Sequence, residues 1–302
     1  MAGLLTLDNL DGYSGRTVRR RWGKVGMKRL IVTADDFGAA HEVNDAVEQA
    51  HREGLLTAAS LMVTGGAADD AVVRAKAIPT LGVGLHIVLV EGRPALPPEQ
   101  LPDLVDSAGN FRTDMVRTAL GIFTKPAARA QLRAEIEAQF ARFAATGLPL
   151  DHVNAHKHFH LHPTIASTIL SVGRLYGMKA IRAPIEPRNV LNRIEPGPAG
   201  FDIARPWAAL VRRRMRRAGL LVPDQVFGLA WSGALDTRRL RGLVEHLPAG
   251  LTEIYTHPAT APYAGSAPGY AYAEELAALT DGLAKDRVLR DGVALGRFAD
   301  FA

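Results

Sequence analysis

From Lys28 onward the chain repeats one alternation, a short apolar run followed by a longer stretch of helical periodicity. The apolar runs fall at 29–34, 57–63, 82–89, 151–156, 179–183, 225–230, 251–256 and 292–296. The helical stretches fall near 40–53, 66–77, 126–146, 163–177, 204–218, 236–246 and 272–284. Strands separated by helices pair in parallel, because each chain return must cross over the sheet. The pattern predicts an α/β fold of mostly parallel strands, and seven or eight such units favour a closed or nearly closed barrel over an open sheet. Residues 28–302 read as a single domain.

Composition removes several alternatives. No apolar run approaches the roughly 20 residues that span a bilayer, and the first 26 residues lack the apolar block of a secretory signal. The absence of cysteine excludes disulfides, thiolate metal sites and cysteine nucleophiles, and fits a cytoplasmic enzyme. Of the net charge of +5, residues 1–26 supply +3, from Arg16, Arg19, Arg20, Arg21 and Lys24 against Asp8 and Asp11. Residues 1–27 are therefore expected to form a basic extension, disordered or loosely attached. With the remainder near neutral, nucleic-acid binding is not expected.

Three proline-marked stretches, 91–125, 184–203 and 258–271, follow predicted strands. In a parallel barrel that places them on the C-terminal face, where catalytic loops gather. A lid or substrate-contacting role is expected of the first, against a plain surface insertion.

The chemistry-bearing residues also sit at strand ends. Thr33-Ala34-Asp35-Asp36-Phe37-Gly38 sets two carboxylates beside each other after the apolar run Leu30-Ile31-Val32. Adjacent residues of a strand point to opposite faces, so paired aspartates suit a strand end, where Gly38 permits the turn. Gly82-Val83-Gly84-Leu85-His86-Ile87-Val88-Leu89 holds one histidine in an apolar run, which by itself reads as a buried structural residue. Residues 151–162, Asp-His-Val-Asn-Ala-His-Lys-His-Phe-His-Leu-His, hold five of the ten histidines of the chain. In extended geometry His156, His158 and His160 share one face, with Lys157, Phe159 and Leu161 on the other. Thr252-Glu253-Ile254-Tyr255-Thr256-His257-Pro258 ends another strand in a histidine before a breaker.

One carboxylate and two histidines make a three-ligand catalytic metal site with open positions. A second carboxylate within reach could take a proton from bound water, and a further histidine could protonate a departing amine. That set suits metal-assisted amide hydrolysis. A two-metal phosphoesterase should need more carboxylates, and a glycolipid binder with a relict metal site would need no base.

These four segments, in this order over about residues 28–296, resemble the YdjC-like carbohydrate deacetylases, which include chitooligosaccharide deacetylases. Phe227-Gly228-Leu229-Ala230-Trp231-Ser232-Gly233 and Leu251-Thr252-Glu253-Ile254-Tyr255 most resemble the hopanoid-biosynthesis-associated branch called HpnK. The resemblance implies a distorted (β/α) barrel that removes an N-acetyl group from an amino sugar. It implies metal binding by Asp36, His86 and His156, with Asp35 as general base and His257 as general acid. His158 and His160 match further histidines of the family, orienting ligands or touching substrate. Asn154 stands where other members carry an aspartate, a change that bears on ligand orientation. The implied cofactor is one divalent ion, zinc or magnesium, and the ligand types also accept cobalt, nickel or iron.

For the hopanoid branch the implied substrate is N-acetylglucosamine on a bacteriohopanepolyol, a lipid-linked sugar; soluble chitooligosaccharides are the alternative. A lipid-linked substrate implies peripheral membrane contact at the inner face. If 206–217 is helical, Trp207, Leu210, Val211 and Met215 fall on one face among five arginines, which suits either a membrane surface or core packing. A homodimer is compatible with the sequence.

Overall fold

A computed structural model describes residues 26–197 and 205–302, so most of the predicted basic extension lies outside the described residues. The strands are β1 (Lys28–Phe37), β2 (Ala58–Leu61), β3 (Gly82–Ile87), β4 (Val153–Ala155), β5 (Gln225–Phe227), β6 (Gly250–Thr256) and β7 (Ala294–Leu295). The helices are α1 (His41–Glu53), α2 (Ala68–Ala77), α3 (Met115–Thr124), α4 (Pro126–Ala145), α5 (Pro163–Leu175) and α6 (Arg188–Ile194). They continue with α7 (Arg205–Arg217), α8 (Thr237–Glu245), α9 (Tyr272–Leu279), α10 (Gly282–Arg290) and α11 (Phe298–Phe301).

All named strand pairs are parallel, in the order β4-β3-β2-β1-β6-β5, with β7 added beside the start of β1. The predicted strand at 179–183 makes only the isolated bridges Val153↔Ile181 and Ala180↔Leu221. Together with Val226 N–H donating to the Ile185 carbonyl, these bridges join the two edges of the sheet. The result is the expected distorted barrel, closed through the 179–185 segment by isolated bridges in place of a continuous ladder. The closure is irregular because Pro184 and Pro187 cannot donate to a ladder. Two other strands end early: the run at 225–230 stops before Gly228, whose φ of +121° leaves the β region, and 292–296 shrinks to two residues.

Side-chain alternation divides the barrel into layers. On β1, Leu30, Val32 and Ala34 pack outward against the helices, in the large apolar cluster. Ile31 points inward, where it meets Ala58, Ala180, Leu251 and Phe298 in a small separate cluster. Two and four residues on, Thr33 and Asp35 belong to a buried polar layer with Ser60, Asn154, Arg182 and Glu253. The barrel interior is thus apolar at its base and ionic towards the strand C-termini. Gly84 admits this filling, since a Cβ there would sit 2.5 Å from the His152 ring.

The predicted helix 272–284 divides at Asp281, whose side chain accepts from the Ala284 N–H at 2.8 Å and so starts α10. The 91–125 stretch is anchored near its start, and Glu91, Gly92 and Arg93 line a cavity at the strand ends. Buried Glu135 of α4 accepts from the Ala95 and Leu96 N–H groups, and Gln139 exchanges hydrogen bonds with the Val88 backbone. The predicted face of α7 is also split: Val211 and Met215 are buried with Ala208, whereas Trp207 and Leu210 are exposed. At about 100° per residue Leu210 lies about 60° to one side of Trp207, whereas Val211 and Met215 lie about 40° and 80° to the other, the side that meets the core. Among the described residues no helix is long and apolar enough to cross a membrane.

Candidate functional site

Asp36 does not sit in ordinary strand geometry. Its φ is +62°, and the β1–β2 register slips between Ala34 and Phe37. This bulge overrides the alternation that would send adjacent side chains to opposite faces, and both Asp35 and Asp36 line one cavity. The turn beyond is held by the Asn44 side chain, whose Oδ1 accepts from the Gly38 N–H at 2.8 Å.

Asp36 Oδ1 lies 3.2 Å from His86 Nε2 and 3.3 Å from His156 Nδ1, and the two nitrogens are 3.4 Å apart. Donors each about 2.1 Å from one ion, at 90–110° to one another, would be separated by roughly 3.0–3.4 Å. Asp36 Oδ1 is buried and has no hydrogen-bond partner. A carboxylate oxygen facing two imidazole nitrogens at these distances has the donor set and spacing of a divalent cation site. Asp36, His86 and His156, expected from the resemblance, are brought together here.

The orientation of His86 is set from behind. Its Nδ1 donates to Asn154 Oδ1 at 2.7 Å, which leaves the Nε2 lone pair facing Asp36. The Asn154 amide donates in turn to Asp35 Oδ1 at 2.9 Å. Asp35 Oδ1 also accepts from Ser60 Oγ at 2.8 Å and from Arg182 at 3.0 Å, and its Oδ2 accepts from Arg182 at 2.5 Å. Arg182 is fully buried between two carboxylates; it reaches Glu253 Oε1 through Nε at 2.9 Å and through a terminal nitrogen at 2.7 Å.

Burial pushes the Asp35 carboxyl up, but the Arg182 guanidinium and His86 outweigh it and hold it far below the usual carboxylate range. Asp36 is opposed by burial in the same way and held well down by His156 and His86. His86 goes up despite its burial, because Asp36 and Asp35 face it.

The remaining histidines disperse. Residues 156–161 are not extended: Lys157 and His158 have φ of +51° and +53°, and the segment coils into a tight turn. Alternation fails where the backbone is left-handed, so His156, His158 and His160 fan apart instead of sharing a face. His158 lines the cavity and its Nε2 meets Tyr255 Oη at 2.9 Å. His160 lies outside the cavity lining and donates to the Arg182 carbonyl at 2.9 Å. Lys157, expected on the far face, instead lines the cavity and pairs with Glu91. His257 reaches the cavity too; its backbone N–H donates to buried Glu275, and its ring lies 5.3 Å from that of Tyr270.

The cavity encloses about 710 Å³ at the strand C-termini. Tyr263, Tyr270 and Tyr272 of the 258–272 segment form one wall, ring against ring at 5.4–5.5 Å. Arg182 and Ser60 escaped the sequence reading. An arginine inside the apolar run Ala180-Ile181-Arg182-Ala183 was a signal available there, since arginine is almost never fully buried without a partner.

Comparison with known proteins places the chain in a family. Residues 29–289 match the family described as YdjC-like protein. A Geobacillus stearothermophilus protein named carbohydrate deacetylase is 32% identical over 90% of this chain and 97% of its own length. A Brevibacillus brevis protein of the same name is 40% identical over 49% of this chain, and that match spans 56% of the relative. A solved structure from Enterococcus faecalis V583, named for cellobiose-phosphate cleavage, superposes with a TM-score of 0.71 at 25% identity. That match covers 91% of this chain and 99% of the other.

Proposed function

Because the chain belongs to the YdjC-like family, we propose that it is a metal-dependent carbohydrate deacetylase, hydrolysing the N-acetyl amide of an amino sugar. The observation that carries this reading is the convergence of Asp36, His86 and His156 beside Asp35 in one open cavity. Asp36, His86 and His156 would hold a divalent ion, which when bound acidifies a water molecule and polarises a carbonyl oxygen. Asp35 takes the proton from the attacking water. Its Oδ2 is the acceptor, because Oδ1 already receives three hydrogen bonds and Oδ2 only one, from Arg182. As the water oxygen bonds to the carbonyl carbon and the C–N bond breaks, His257 delivers a proton to the departing nitrogen. The products are acetate and the free amine. Arg182 keeps Asp35 ionised and aimed, and the tyrosine wall offers flat faces to sugar rings.

For the substrate, N-acetylglucosamine on a bacteriohopanepolyol is the finer reading, supported by the resemblance of 227–233 and 251–255 to the hopanoid-associated branch. Soluble chitooligosaccharides are the second reading, favoured by the openness of the cavity towards solvent at Glu91 and Arg93. Acetate release from a GlcNAc-hopanoid and from N,N′-diacetylchitobiose, side by side with and without added divalent metal, separates the two. An Asp35→Asn variant should bind metal normally and lose about 10²–10⁴-fold in acetate release. Unchanged release would remove Asp35 from the reaction, and release indifferent to metal and chelator would end the proposal.

A further inference from the structure

Two helices outside the cavity hold large apolar side chains in water. On α3, Val116, Leu120 and Phe123 are 79%, 62% and 63% exposed, and their spacing puts them on one face. On α7, Trp207 and Leu210 are 50% and 53% exposed, while Ala208, Val211 and Met215 form the adjoining buried stripe. Clustered apolar exposure on a helix face marks a contact surface. Both helices border the same turn. α7 packs against 156–161, and the Phe123 ring lies 6.4 Å from that of His162.

Charge indicates what the surface meets. α7 carries Arg205, Arg212, Arg213, Arg214, Arg216 and Arg217 and no acidic residue. Arg212 and Arg216 fold back onto the 222–224 segment. Arg213, Arg214 and Arg217 are exposed, have no acidic partner among the described residues, and lie three or four positions from Leu210 or from each other. They therefore share the face of Trp207 and Leu210. α3 adds Arg117, exposed, and likewise no acid. An anionic bilayer offers negative charge directly above an apolar layer, which is the complement of this surface.

We infer that α3 and α7 form a docking surface for an anionic phospholipid bilayer. Leu120, Phe123 and Trp207 enter the headgroup boundary, and Arg213, Arg214 and Arg217 meet the phosphates. The inference stands apart from the choice of sugar, and its test uses no substrate, so it succeeds or fails separately from deacetylation.

The test is cosedimentation of the full chain with phosphatidylcholine vesicles, with and without phosphatidylglycerol, combined with hydrogen exchange. Binding is expected only with phosphatidylglycerol present, and should weaken with salt. Leu120→Ser with Phe123→Ser should weaken it about tenfold. Arg213→Ala, Arg214→Ala and Arg217→Ala together should weaken it about a hundredfold. Melting temperatures close to the parent's would show that both variants fold, and α3 amides should gain protection on vesicle addition. Equal binding to both vesicle types, or to neither, would overturn the inference. So would α3 protection already present without lipid, whether from a second copy or from another part of the chain.

Discussion

Replacing His160 with glutamine should remove a defined share of the acid sensitivity of the fold. His160 is fully buried, donates from Nε2 to the Arg182 carbonyl at 2.9 Å, and leaves Nδ1 without a partner. Burial, assisted by the Arg182 charge, pushes its pKa down from the ordinary 6.5 to about 4. As pH falls below 6.5, the unfolded chain takes up a proton that the folded chain refuses until about pH 4. Stability is therefore lost across that window and levels off beneath it. At about 1.4 kcal/mol per pH unit the loss amounts to about 3 kcal/mol, or about 6 °C in melting temperature for a chain of this size. Glutamine keeps a donor for the carbonyl and does not titrate. Thermal melts of parent and His160→Gln at about pH 7.5 and about pH 4.5 should show the parent losing about 6 °C more than the variant. Parallel losses would refute a neutral, buried His160.

Three further substitutions address the polar interior. Arg182→Met strands Asp35 and Glu253 without their shared cation and should cost about 3–5 kcal/mol in urea melts. With the guanidinium gone, burial dominates and lifts the folded Asp35 pKa above its unfolded value, so the penalty should be larger near pH 8 than near pH 5. Asn154→Ala removes the partner that orients His86 and should weaken divalent-metal binding about 10–100-fold by titration calorimetry. Gly84→Ala forces a methyl against the His152 ring, and denaturant unfolding should register a loss of about 1–3 kcal/mol.

The sequence was most legible where local chemistry and period agree. The alternation from Lys28 onward is enough for a parallel α/β barrel, because apolar period and breakers act within a few residues of one another. Asp36 and His156 stood out as motifs at strand ends, whereas His86 read by itself as a buried structural residue and entered the ligand set only through the family resemblance. What failed was geometry that depends on distant partners. The 179–183 run looked like a strand like the rest, yet Pro184 and Pro187 leave it only single bridges to its neighbours. The histidine run looked like a one-faced strand, yet left-handed Lys157 and His158 turn each ring to a different neighbour.

By itself, then, the sequence determined the fold class and which residue types could gather at the strand ends, since both follow from short-range pattern. Only the tertiary structure decided that Asp35 belongs to a buried ionic layer with Arg182 and Glu253, 147 and 218 positions further along the chain. It likewise decided that Asn154 joins His86 to that layer. Ionisation of a buried group depends on which charges surround it in space, and barrel closure brings those charges together from opposite ends of the chain.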